Sequence, residues 1–293
     1  MRWEKLRRSS NVRDRRQMSG GGKKMLGGGL GTMVILLILS MVFKVDLTQL
    51  AGGGGGVGTQ SSPAPLSAES NERQEFVTAI KGSTEDVWTQ IFRQHGQTYR
   101  PAKLVNYRDQ IAFESVRGVA DAAMGPFYLP AEETIYLDTS FFDQMKRELG
   151  GGGDFAYAYV IAHEVGHHVQ HLLGYTTKVH SQKGRIPERE FNRLSVRLEL
   201  QADYLAGVWA HHADRTMRAE QGVGLLEDGD IEEAMRAAKA IGDDALQRKA
   251  RGQVVPDSFT HGTSDQRLRW FTKGFRSGDI REGNTFEVPY DQL

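Results

Sequence analysis

The sequence predicts an α+β domain, mostly helical with a small sheet, preceded by a single transmembrane helix. Three observations carry this. Apolar residues recur at helical spacing in several segments between residue 72 and the C-terminus. Short β-branched and aromatic runs with Gly/Pro turns cluster between 103 and 137. One long uncharged apolar run stands near the start, apart from the rest.

The chain has 293 residues, with 37 basic and 37 acidic side chains and no cysteine. Its 39% hydrophobic and 25% charged content is that of a globular protein rather than a disordered one. The missing thiols exclude disulfides, thiolate zinc fingers, iron–sulfur clusters and a cysteine nucleophile. A metal site must therefore be built from His, Asp and Glu. The neutral total hides an asymmetry: residues 1–24 hold nine basic and two acidic residues, leaving 28 basic against 35 acidic in the remainder. That mildly acidic body carries no footprint for nucleic acid, which is not expected as a partner.

Residues 1–24 read as a basic cytoplasmic segment, because a basic cluster on one side of an apolar run stays inside. Met25–Phe43 is 19 residues without a charge, bracketed by Lys24 and Lys44. As a helix it would span about 28 Å, close to the ~30 Å of a bilayer core. A transmembrane anchor over 25–45 follows. A cleaved signal peptide fits poorly, since no small-x-small site follows closely. Residues 46–70, with Gly52–Gly56 and Ser61-Ser62-Pro63-Ala64-Pro65, read as a flexible linker. The folded domain is expected over 71–293, on the extracytoplasmic side of a cell membrane crossed once.

Within it, 72–95 reads as a helix through Phe76, Ile80, Val87, Ile91 and Phe92. Val105, Tyr107, Ile111 and Phe113, then Thr134–Leu137, read as short strands, the last either an edge strand open to an extended peptide or an ordinary core strand. Ser140 caps a short helix through Leu149, and Gly150–Gly153 breaks the chain before a helix opening at Asp154. Further helices are expected over 188–212, 230–251 and 264–275.

Residues 163–167 read His-Glu-Val-Gly-His, the H-E-x-x-H pattern, whose value depends on a helical setting. With Ala158 as origin, Ala162, Val165, Val169 and Leu172 fall within about 40° of it, while His163 and His167 lie near 140° and 180°. The two imidazoles at i and i+4 can converge on one ion. A third ligand is needed. Gln170 and Leu173 exclude the extended form that adds a third histidine on the same chain stretch. His168 and His171 are expected at the surface or as supports. Glu199 and Asp203 lie four apart on a second amphipathic helix, beside the stripe of Phe191, Leu194, Leu198, Ala202, Leu205 and Trp209. Glu199 can bind Zn²⁺ and Asp203 can accept the distal N–H of a ligand histidine. Glu164, turned too far to bind the same ion readily, is the candidate general base. His261, in Thr260-His261-Gly262-Thr263, is a candidate oxyanion stabiliser, with Arg267 as a supporting charge. Tyr157 and Tyr204 are weaker candidates and read as packing residues.

Taken with Phe127-Tyr128-Leu129-Pro130-Ala131 and Thr134-Ile135-Tyr136-Leu137-Asp138, the segments His163–Gln170 and Glu199–Tyr204 give a chain that resembles the bacterial putative neutral zinc metallopeptidases over nearly its whole length. The resemblance implies a single-pass membrane protein with a zincin-like domain of the gluzincin type, acting on a peptide or protein substrate. Where the family often carries cysteine before the proline, this chain has Leu129, which removes any thiol role there and leaves the zinc site untouched. The rival readings are a zinc-binding scaffold without turnover, a cell-wall peptide amidase, and a basic-tailed membrane protein recruiting a cytoplasmic partner.

Overall fold

A computed structural model describes residues 1–17, 66–108, 110–113, 119–121, 125–149, 153–240, 242–245, 247 and 253–293. The expected membrane span and almost all of the linker lie outside these residues. Among the described residues no helix is long and apolar enough to cross a membrane.

The α-helices whose bounds lie among the described residues are, in order, α1 Ala68–Gln94, α2 Ser140–Leu149, α3 Asp154–Leu172, α4 Tyr175–His180, α5 Glu188–Gln221, α6 Asp230–Ala240 and α7 Ser264–Ser277. Six strands accompany them: β1 Val12–Asp14, β2 Lys103–Tyr107, β3 Gln110–Ala112, β4 Val119–Asp121, β5 Phe127–Leu129 and β6 Thr134–Asp138. The expected mostly helical α+β class is what forms. The caps explain several boundaries. Ser67 accepts from the Ser70 N–H to open α1, and Thr263 with Gln266 forms a full capping box on α7. Helix α5 runs nine residues beyond the expected 212 because Ala213 and Met217 continue its buried face, and it stops at Gly222 in the left-handed conformation. Helix α6 ends at Ala240 and residues 243–245 and 247 are helical again past a bend at Gly242, so the expected 230–251 helix is interrupted, and α4 was not foreseen.

The main sheet has the order β1-β2-β6-β5, with β1, β2 and β6 parallel and β5 antiparallel to β6. Its two faces are covered differently. Leu104, Ile135 and Leu137 point into the main helical core, while Val105, Tyr107 and Tyr136 form a small second cluster with Ile111, Phe113, Phe127 and Leu129. Strand β6 is therefore an interior strand. Of the two readings of Thr134–Leu137, the edge strand is ruled out, because β5 turns back through Pro130–Glu132 and pairs with its outer side. Among the described residues, β1 and β5 are the two edges of this sheet.

Helix α3 runs through the middle of the molecule. It meets α1, α5 and α6, and Phe155, Ala158, Tyr159, Ala162, Val165 and Val169 are all essentially inaccessible. Helices α5 and α7 lie along each other and close the core from the other side.

The N-terminal segment departs from its expected role. Residues 1–24 were expected to form a solvated basic tail separate from a domain starting at 71. Instead β1 pairs with β2 in register Val12↔Leu104, Arg13↔Val105 and Asp14↔Asn106. Trp3 is buried, with its ring edge-on to Phe76 at 5.5 Å. Residues 1–17 belong to the same folded body as residues 66–293.

Candidate metal centre

The site is built where α3 and α5 cross. Gly166, inside the H-E-x-x-H pattern, sets their separation. A Cβ there would stand 3.0 Å from the Ala202 carbonyl oxygen and 3.2 Å from its Cα, so only glycine lets the two backbones approach this closely. That approach brings Glu199 of α5 against both histidines of α3.

His163, His167 and Glu199 each offer one ligand atom, and the three atoms lie within 4.8 Å of one another. Glu199 Oε2 is 3.2 Å from His163 Nε2, and Oε1 is 3.5 Å from His167 Nε2. The imidazoles stand at right angles with centroids 4.7 Å apart. The other ring nitrogens are committed elsewhere. His163 Nδ1 lies 2.8 Å from Asp203 Oδ1, and His167 Nδ1 lies 2.9 Å from Gln170 Oε1. With both Nδ1–H groups donating to oxygen, both Nε2 lone pairs face a carboxylate. Lone pairs and a carboxylate repel unless a cation lies between them, so this donor set fits a metal ion.

Charge agrees with geometry. Among the described residues, the carboxyl groups of Glu164, Glu199 and Asp203 gather around the guanidinium of Arg267, three acidic groups against one basic one. Burial alone would lower the His163 ring, but the Asp203 charge and hydrogen bond, with a further bond from Glu199, raise it to about 10. Burial alone would raise the Glu199 carboxyl, but His167 and His163 hold it well below the ordinary range. Surroundings that attract a proton this strongly attract a metal cation for the same reason. Glu164 is almost fully buried, and burial with the Glu199 charge raises its carboxyl against the pull of His167 and His163.

Asp203 joins three helices. It is fully buried and accepts from Tyr159 Oη at 2.5 Å and His163 Nδ1 at 2.8 Å, both from α3, and from Arg267 of α7 at 2.9 and 3.0 Å. Burial alone would raise its carboxyl; Arg267 and His163 keep it below the usual value. Asp203 thus lies against the distal ring nitrogen of His163, the position expected of it, and Arg267 is paired with Asp203.

His261 lies in the loop entering α7. Its backbone N–H and those of Thr260 and Gly262 donate to Asp243 Oδ2 at 2.6, 2.7 and 3.1 Å, and its Nδ1 is 3.2 Å from Asp243 Oδ1. Burial pulls the ring down, but Asp243 and then Glu199 raise it. His261 therefore senses the charge of Glu199 without being one of the three clustered ligands, and its side chain keeps 30% exposure.

Tyr159, Gln170 and Asp243 escaped the sequence reading. Tyr159 precedes His163 by one turn, a spacing that could have flagged it. Gln170 follows His167 by three residues and donates onward to the Leu198 carbonyl and Gln201. Asp243 had no local signal. Of the two expectations for His168, a surface position or a support, the surface one is overturned. His168 is fully buried, donating Nε2–H to the Arg100 carbonyl at 2.6 Å and accepting from Tyr128 of β5 at 2.9 Å, so it ties the sheet edge to α3. His171 is a quarter exposed, 4.0 Å from Glu133. Tyr157 stacks on Phe142 at 4.4 Å and Tyr204 is buried with its hydroxyl on the Asp279 carbonyl, both packing residues as expected.

Comparison with known proteins agrees with this geometry. The family described as putative neutral zinc metallopeptidase matches residues 1–286. The uncharacterised protein YpfJ of Escherichia coli K12 is 48% identical over 293 residues, covering 98% of this chain and 99% of its own. The uncharacterised protein Rv2575 of Mycobacterium tuberculosis H37Rv is 43% identical over 175 residues, covering 58% of each chain. No solved structure matches. The match from the first residue onward fits a fold in which the N-terminal strand is part of the domain, and the chain belongs to the putative neutral zinc metallopeptidase family.

Proposed function

We propose that this chain is a membrane-attached zinc metallopeptidase that hydrolyses peptide bonds in a peptide or protein substrate. The observation that carries the reading is the convergence of His163, His167 and Glu199 to within 4.8 Å, with Glu164 buried beside them. Three N/O ligands of this kind suit zinc and leave a position open. Zinc, when bound, supplies Lewis acidity, giving a more acidic water and a polarised carbonyl.

The protein's own groups account for the remaining steps. Glu164 takes a proton from the attacking water and returns it to the leaving amine nitrogen as the C–N bond breaks, a role suited to a carboxyl raised by burial. Asp203 holds His163 in the tautomer that leaves Nε2 free, and Gln170 does the same for His167. His261, oriented by Asp243 and partly open to solvent, donates to the carbonyl oxygen as negative charge develops there. Strand β5 is the sheet edge nearest to α3 through the Tyr128–His168 contact, and an extended substrate can pair along it.

The test is Glu164→Gln, which preserves shape and removes the base. Zinc content by elemental analysis should stay at the wild-type level, while cleavage of an unfolded protein falls about 10²–10⁴-fold. Undiminished cleavage with zinc retained would falsify the assignment. The same assay with a chelator separates a peptidase from a zinc-binding scaffold, since only the peptidase shows chelator-sensitive turnover.

A further inference from the structure

A cluster of polar side chains lies against α3 one turn beyond the metal ligands, and the proposed reaction draws on only one of its contacts. Tyr128 Oη of β5 donates to His168 Nδ1 at 2.9 Å, and His168 Nε2–H donates to the Arg100 carbonyl at 2.6 Å. The Arg100 guanidinium donates to Glu133 Oε1 at 2.9 Å, and that oxygen is 4.0 Å from His171 Nε2. The His171 ring closes the circuit on Tyr128, with centroids 6.2 Å apart. His171 follows His167 by four residues on the same face of α3, about 6 Å further along the axis. The cluster therefore borders the metal centre on the side where β5 lies.

Exposure rises in order across it. His168 is fully buried and Tyr128 partly so, while the side chains of His171, Glu133 and Arg100 are 25%, 35% and 66% exposed. Arg100 is the member a bound chain can reach. Among the described residues Glu133 is the one acceptor of its guanidinium, which leaves most of its five N–H groups for a ligand. The residue is held at both ends. Buried His168 fixes its carbonyl, and Glu133 fixes its head. Glu133 has a φ of 47°, the one positive φ of a non-glycine residue among the described residues. That left-handed conformation is unfavourable for a glutamate. Here it turns the carboxylate towards Arg100 and His171 as the chain passes from the Pro130–Glu132 turn into β6. Burial and then the Glu133 charge raise the Tyr128 hydroxyl while Arg100 opposes them, so both charges act on the strand along which a substrate would pair.

We infer that Arg100 is a specificity-determining residue, a subsite for a peptide carboxylate at one end of the metal cleft. The inference rests on the proposed peptide site along β5 and names the substrates it favours: peptides with an acidic side chain or a free C-terminus near the scissile bond. A guanidinium meets a carboxylate through two parallel N–H···O bonds. Glu133 already holds the Arg100 head, so less side-chain freedom is lost when a second carboxylate docks. Arg100 lies beyond His171, across Glu133. At ~3.3 Å per residue of extended chain, the bound carboxylate falls about two or three residues from the metal.

The test uses the full-length, zinc-loaded chain carrying Glu164→Gln, so that peptide binding is read without turnover. A short uncharged peptide is titrated by calorimetry with a single Glu walked along it, against the matching Gln peptides, each with a free and with an amidated C-terminus. Carboxylate-bearing peptides should bind about 5–10-fold more tightly than their Gln or amide counterparts, and adding Arg100→Gln should bring that ratio close to one. Arg100→Gln leaves in place the backbone carbonyl that holds His168, and retained zinc shows that the centre is intact. A preference that moves with the Glu and survives amidation assigns the acidic side chain as the ligand; one that vanishes on amidation assigns the chain terminus. Equal binding of all the peptides, binding of none, or a preference that persists in Arg100→Gln overturns the subsite. Hydrolysis is read separately on the chain that keeps Glu164. Its failure there, with the binding preference intact, removes the peptidase reading and leaves the subsite standing.

Discussion

At the scale of single residues, the centre depends as much on the groups behind the ligands as on the ligands. Asp203 and Arg267 are both almost wholly buried and bind each other through two hydrogen bonds. Removing one member of such a pair strands the other, which typically costs about 3–5 kcal/mol. Asp203→Ala should therefore lower thermal stability sharply, with Arg267 unpaired and Tyr159 and His163 each losing an acceptor. Asp203→Asn keeps an oxygen for His163 but removes the charge, and should weaken zinc binding about 10–100-fold with a smaller loss of stability. Competitive chelator titration reads the first effect and thermal melting the second. Equal zinc affinity in the wild type and Asp203→Asn would show that the carboxylate does not tune the ligand. The ligands and Asp203 were legible in the sequence because i, i+4 spacing is local and the chemistry admits few residue types. Asp243 and Tyr159 were not. Asp243 finds its histidine 18 residues away in a loop, and a tyrosine on a buried helix is ordinarily a packing residue.

At the scale of elements, periodicity misjudged α3. The phase argument found a single apolar stripe with His163 and His167 away from it, yet α3 is buried nearly all round, which is why His168 is neutral, pushed down to about 4, and not a surface group. Burial is the main cause of that shift. The α3–α5 crossing turns on Gly166, and the sequence could not show that Ala202 lies against it. Gly166→Leu forces the helices apart in a region without free space. It should destabilise the fold by about 1–3 kcal/mol or more and lower zinc affinity, measured by denaturant unfolding and metal content. Whether β6 was an edge or a core strand stayed open in the sequence for a related reason, since its outer partner β5 is only three residues long and returns through a tight 3-10 turn. Helix α1 makes its own prediction. Burial alone would raise the Glu85 carboxyl, but Lys81, Asn11 and Ser9 hold it below its ordinary value of 4.5. A carboxylate lowered on folding contributes stability in full above 4.5, and that contribution fades as pH falls through the lower folded value. The protection factors of the β1 amides, which correct for the intrinsic pH dependence of exchange, should therefore fall below about pH 4.5. In Glu85→Gln the protection of β1 should be lower at neutral pH and change less on acidification. An unaltered exchange profile in that variant would remove Glu85 from the attachment of β1.

For the whole molecule, the decisive feature is that its two described parts close on each other at Arg16 and Ser70. Charge patterning alone could not reveal this. The acidic partners of Arg7 and Arg8 lie more than sixty residues downstream, so a basic cluster beside an apolar run reads as a solvated tail until the fold is known. Two opposite outcomes follow for two ways of shortening the chain. Cutting it to 71–293 deletes β1, exposes the β2 edge and leaves buried Lys81 with a Glu85 that has lost Ser9, Asn11 and Arg7. That fragment should aggregate or melt well below the full chain. Replacing residues 18–65 with an eight-residue Gly/Ser linker keeps every described contact and shortens the loop about sixfold. Loop-closure entropy then favours the folded state by about 1.5 kcal/mol, provided the linker reaches without strain. Eight residues extend to about 26 Å, ample for ends already joined by a side-chain hydrogen bond. This variant should be soluble without detergent, bind zinc like the parent and melt at the same temperature or slightly higher. Thermal melting, gel filtration and elemental analysis of the two shortened chains decide the matter together. If 71–293 matches the linker variant in stability and zinc content, the N-terminal strand is dispensable to the fold.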